Sequence, residues 1–113
     1  MREPIRDNGR LEHILSAIEN VEKYTQGFDF ETFSADSLRV HATIYNVQVI
    51  GEAVYHLSNE FKESHPETIW RLIEKTRHIL VHDYYQIQLD ILWNIVIEDL
   101  PLLKNQVNKY LSE

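Results

Sequence analysis

Residues 37–61 read SLRVHATIYNVQVIGEAVYHLSNEF, and they hold two apolar stripes rather than one. Leu38, Ala42, Tyr45, Val49 and Ala53 recur at helical spacing, with Val47, Ile50, Val54, Leu57 and Phe61 beside them. A helix with one apolar stripe covers a core from outside, whereas two stripes imply burial on two sides, and hence neighbours on both. The stretch predicts a central helix, capped by Ser34 or Asp36 and running to about Lys62. Gly51 lies inside it, where glycine costs roughly 1 kcal/mol against alanine in an exposed helix. The expected reason is close approach of another backbone.

The flanking sequence supplies the neighbours. Leu11, Ile14, Leu15, Ile18 and Val21 mark an amphipathic helix over about 8–25, with Gly27 as its stop. "SHPE" ends the central helix and opens a third over about 66–82, with Pro66 in its first turn, where a missing N–H costs nothing. Leu89, Leu92, Trp93 and Val96 resume the period after "DYYQIQ". "EDLP" at 98–101 is expected to kink or restart that helix, with Asp99 able to cap the last stretch. No strand pattern, repeat or low-complexity linker is present. The fold expected is all-α, an antiparallel bundle of four or five helices in one domain over 1–113.

Composition narrows the function classes. A chain of 113 residues, 43% hydrophobic and with three glycines and three prolines, can bury a real core but not two independent ones. It has no cysteine, which excludes disulfides and thiolate zinc sites. No apolar run approaches the ~18 residues of a membrane helix, and no signal-peptide block follows MREPIRDNGR, so a cytoplasmic location is expected. The net charge of −7 opposes indiscriminate binding to nucleic acid. Yet Arg71, Lys75 and Arg77 face only Glu74 between 71 and 82, so one segment of an acidic chain is basic.

That segment runs into RHILVHDYY, residues 77–85, where an arginine and two histidines interrupt an apolar helical pattern. His78 and His82 lie four apart, the spacing of a two-histidine metal site. The zinc-protease form needs Glu after the first His, and that position is Ile79; His41, His56 and Asp83 are conceivable third ligands. A second reading joins Arg77 to His82. Five residues place them about 140° apart around the axis and about 7.5 Å along it, so they are not neighbours but can converge on one substrate. A guanidinium can grip phosphate bidentately, and an imidazole at a helix end can exchange a proton near neutral pH. The plain reading stays open beside both: an arginine in a surface ion pair and a histidine ending a helix.

The order of these features, YNVQVIGEAV at 45–54, then Arg77, four residues, His82, one residue and Tyr84, then DILWNIVIEDLPLLK at 90–104, resembles the HEPN superfamily and more narrowly its HepT-like toxins. The resemblance covers nearly the whole chain. It implies a HEPN-like bundle that forms a homodimer, with two copies of the motif facing one cleft, acting as a metal-independent endoribonuclease without cofactor. On that basis Arg77 would hold the scissile phosphate and His82 would serve as acid–base residue for attack by the RNA 2′-hydroxyl. His78 stands where the family often has Asn, and it can still donate to phosphate. The resemblance also implies a partner, an MNT-type nucleotidyltransferase antitoxin that adds AMP to Tyr84. A phosphoryl group two residues from His82 would put negative charge where RNA phosphate binds. Tyr85 is expected to pack ordinarily, with a wet hydroxyl. The competing function is a non-catalytic partner subunit of a nucleotidyltransferase, using the same residues only to bind phosphate.

Overall fold

The computed structural model describes residues 6–82 and 88–113, with side chains for all of these except 78–82. Asp83 to Ile87 and residues 1–5 lie outside the described residues. The architecture is all-α. Its segments are α1 (Asp7–Thr25), α2 (Phe30–Ser34), α3 (Ser37–His56), α4 (Asn59–Ser64), α5 (Trp70–His82), α6 (Leu89–Asn94) and α7 (Leu100–Leu111), with a π-helical turn at Ile95–Asp99 joining the last two. Among the described residues there is no strand, and no helix is long and apolar enough to cross a membrane.

α3 is the central helix, with α1 against one side and α5 against another. Its residues Ile50, Ala53 and Val54 join Leu11, Ile14, Ile18 and Val21 of α1 and Leu103, Val107 and Tyr110 of α7 in the larger core. Val40, Ile44 and Val47 meet Phe33 of α2 and Leu92 of α6 in a second cluster. Burial on two sides therefore holds, but one expected stripe carries it only in part. Leu38 and Tyr45 are 82% and 65% exposed, so the N-terminal part of that stripe points outward and Val40 and Ile44 are buried there instead. Ala53 of the same stripe is in the core, and Val49 packs against it.

Local side chains explain where the elements stop. Gly27 ends the first helical region at φ 81°, a left-handed conformation that suits a residue without Cβ. Asp29 and Thr32 form a reciprocal cap that starts the short α2, an element the sequence pattern did not reveal. Asp36, one of the two residues proposed to cap the central helix, does so by accepting from the Arg39 N–H at 3.1 Å.

Three boundaries differ from expectation. The central helix ends at His56 rather than near Lys62, because Leu57 is extended and Ser58 caps a separate α4 through the Phe61 N–H. Asp7 fixes that break: its two carboxylate oxygens accept from the Ser58 N–H and Oγ at 2.8 and 2.7 Å. Pro66 lies in the turn before α5, which starts at Trp70 instead of 66. Asp99 caps nothing; its backbone is helical, and the break near Pro101 is a π turn in which the Leu100 N–H reaches back to Ile95 O. Proline has no N–H and crowds the carbonyl four residues earlier, and a widened turn just before it relieves that conflict.

The α4–α5 turn is tied to the C-terminus through His65. Its Nδ1–H donates to Phe61 O at 2.9 Å and its Nε2–H to a Glu113 carboxylate oxygen at 2.8 Å, with the ring stacked on Phe61. Both ring nitrogens face acceptors, so the imidazolium is favoured, and the His65 pKa is raised, chiefly by the Phe61 carbonyl and further by Glu113 against the opposing effect of burial. A raised folded-state pKa contributes stability that is fully present below the unfolded value of about 6.5 and is lost as pH rises through the folded value. The stability advantage of the parent over His65→Gln should therefore shrink as pH is raised from about 6 to about 9. Urea unfolding of both proteins across that range checks it; an advantage that grows with pH would contradict the assignment.

Candidate active site

The site begins at Gly51. An added Cβ there would lie 2.9 Å from Thr76 Oγ1 and 3.1 Å from both the backbone N and the Cβ of Arg77. The close backbone approach expected at this glycine is thus real, and its target is the arginine of the motif. α3 and α5 meet there so closely that a Cβ would force Thr76 and Arg77 to shift.

From that crossing the Arg77 side chain runs along α3. Its Nη1 donates to Glu52 Oε2 at 2.7 Å, and its guanidinium carbon sits 3.8 Å from the centre of the Tyr55 ring. Glu52 and Tyr55 are three apart, so one helical face presents both. The other Glu52 oxygen accepts from His56 Nε2 at 3.2 Å, and the His56 ring meets Tyr55 edge to face. The side chain of Arg77 is 20% exposed and Glu52 is 54% exposed, so the pair sits at the rim of the protein. The hydrogen bond from Arg77 holds the Glu52 carboxyl below the usual range, and the same bond holds the Arg77 pKa above its ordinary value. Arg77 Nε is buried without a partner among the described residues.

The ion pair of the plain reading therefore exists, but Glu52 makes it next to Gly51 and one turn from Tyr55 on α3, where the two helices meet closely. Reasoning from the sequence had not given Glu52 or Tyr55 a role. The available signal was their position after Gly51, which put them on the face that meets Arg77. His78 and His82 follow on α5, whose described span runs to His82. The helix end expected at the motif histidine lies outside the described residues. The side chains of His78 and His82, and all of Asp83, Tyr84 and Tyr85, lie outside the described residues. Of the other conceivable metal ligands, His41 Nδ1 lies 2.7 Å from Ser37 O and His56 is bonded to Glu52. Among the described residues no three His, Cys, Asp or Glu side chains come together to hold a metal ion.

The all-α bundle thus sets Arg77 where α5 meets α3, and the same helix carries His82. The chain belongs to the family described as "Ribonuclease HepT-like", which it matches over residues 14–110. It is 39% identical over 99 residues to "Probable ribonuclease HepT" of Thermococcus cleftensis, covering 88% of this chain and 90% of that one. It is 34% identical over 103 residues to "Putative RNase TTE0752" of Caldanaerobacter subterraneus subsp. tengcongensis, covering 91% and 92% of the two chains. No solved structure matches the chain.

The Gly51 crossing can be tested by filling it. Gly51→Val should destabilise the protein by about 1–3 kcal/mol, as overpacking of a tight contact does, despite the better helix propensity of valine. Denaturant unfolding measures this, and a variant as stable as the parent would show that the helices separate freely.

Proposed function

We propose that this chain is a metal-independent endoribonuclease, the toxin of a toxin–antitoxin pair working in the cytoplasm. The observation that carries the reading is the clamped Arg77 on the helix that also bears His82, in a chain of the HepT-like family whose relatives are named as ribonucleases. Arg77 is the phosphate-binding group, fixed in place before substrate arrives, and its charge offsets the negative charge that builds on phosphorus. His82 takes the proton of the 2′-hydroxyl. The O2′–P bond forms and the P–O5′ bond breaks, leaving a 2′,3′-cyclic phosphate and a 5′-hydroxyl once the leaving oxygen is protonated. His78 adds a donor to the same phosphate.

The active form is a homodimer whose two motifs share a cleft. Supporting this is the apolar surface the chain leaves open: Leu38 and Tyr45 on α3, and a groove of about 200 Å³ bordered by Ile69, Leu72 and Leu102. Surface of this kind is typical of protein contacts. The partner that silences the enzyme is an MNT-type nucleotidyltransferase: the Tyr84 hydroxyl attacks the α-phosphorus of ATP, pyrophosphate leaves, and the new phosphodiester places charge and bulk beside His82.

Cleavage of RNA should survive EDTA and should fall by at least about a hundredfold in Arg77→Ala and His82→Ala, the range of lost general acid–base catalysis, with His78→Asn milder. Gel assays on the purified protein, its dimeric mass checked by light scattering, test this. Loss of cleavage with EDTA, or normal cleavage by the His82 variant, would overturn the mechanism. Tyr84→Phe removes only the acceptor oxygen, so it should cut RNA yet resist the nucleotidyltransferase and ATP. Intact-mass analysis with peptide mapping checks that assignment, and modification at another residue would contradict it.

A further inference from the structure

The proposed reaction uses Arg77 and His82 and leaves α3 as scaffold. The contacts give α3 a more direct part. We propose that Glu52 and Tyr55 are positioning residues for Arg77: the carboxylate fixes the direction of the guanidinium and the tyrosine ring fixes its plane. This inference rests on the ribonuclease reading for its consequence in catalysis, but the clamp itself is a property of the protein alone.

A free arginine has four rotatable bonds, and ordering them at the moment of reaction costs entropy that lowers the rate. Here the stem is confined at its base, since the Arg77 Cβ lies against the space over Gly51. At its tip Nη1 is tethered to Glu52 at 2.7 Å, and the guanidinium carbon is 3.8 Å from the Tyr55 ring centre. One contact limits swing in the plane and the other limits tilt out of it. Glu52 is itself held, because its second oxygen takes the His56 Nε2 bond at 3.2 Å. The tether uses Nη1, and a guanidinium carries five N–H donors, so a single monodentate bond does not exhaust its capacity for phosphate. A carboxylate near a phosphate site would be costly without this role, since it repels the substrate. Direct neutralisation of that repulsion by Arg77 explains why an acid is tolerated there.

The clamp predicts which chemical features of the two side chains matter. Tyr55→Leu removes the π face and Glu52→Ala the tether, and each should lower kcat on an RNA oligonucleotide by about tenfold, the scale of one cation–π or charge-assisted hydrogen bond. Changes in KM should stay within about threefold, because the losses fall on transition-state stabilisation more than on ground-state binding. Tyr55→Phe keeps the ring and should restore most of the rate, whereas a purely structural need for the hydroxyl would leave it as slow as Tyr55→Leu. Nuclear magnetic resonance of the Arg77 guanidinium, assigned with Arg77→Ala, supplies a readout independent of cleavage. Hindered rotation about the Nε–Cζ bond is expected in the parent and in Tyr55→Phe, and faster rotation in Glu52→Ala and Tyr55→Leu. If the parent fails to cut RNA, the ribonuclease reading fails while the resonance data still decide the clamp. If Glu52→Ala and Tyr55→Leu show parental guanidinium rotation, or parental kcat in an active enzyme, the clamp is overturned.

Discussion

The structure turns on the contact between Gly51 and the backbone of Arg77. A hydrogen atom in place of a side chain lets α3 and α5 meet at a distance where even a Cβ would press on Thr76 and Arg77. From that approach follow the reach of Arg77 to Glu52, the stacking on Tyr55, and the placement of the helix that carries His82. The stability that glycine forgoes inside a helix is exchanged for the position of one cation. A local cost that coincides with a candidate site is what a functional position is expected to show in a fold that otherwise follows its pattern.

α1 and α2 pack on α3 besides α5, and α7 shares its larger core, so the helix under Arg77 cannot easily give way. Its inner face contributes to both core clusters, through Ile50 and Val54 in one and Val40 and Ile44 in the other. A side chain mounted on such a helix inherits its rigidity. That separates Glu52 and Tyr55 from residues on loops, whose position would vary on the timescale of binding.

Much of this was legible in the sequence. The all-α class, the helix over 8–25 with its stop at Gly27, the Asp36 cap and the meaning of Gly51 all rest on strong local signals, namely periodicity, a left-handed turn, a short carboxylate and an unexplained glycine. The long-range details were not. The end of the central helix at His56 depends on Asp7 reaching Ser58 from 51 residues away, and no local pattern contains that bond. The Leu38–Tyr45 stripe looked buried because periodicity counts apolar residues without knowing which face a neighbour covers. Arg77 was legible as a phosphate-binding candidate from its motif, but its clamp was not, because Glu52 and Tyr55 lie on another helix, 25 and 22 positions earlier in the chain.

The π turn at Ile95–Asp99 has a consequence for how tolerant this chain is to changes of length. Leu92, Val96 and Leu100 are all buried although successive members are four residues apart, and eight residues of regular α-helix would swing such a stripe by about 80° off its face. The wider turn absorbs that swing and returns α7 to register, so that Leu103, Val107 and Tyr110 meet the core and Tyr110 reaches Thr68. A turn of this kind holds one residue more than an α-turn. Loss of one residue inside it can relax to ordinary helix and leave the downstream faces where they are, whereas the same loss within α7 would rotate every later side chain by about 100° and turn Tyr110 away from its partner.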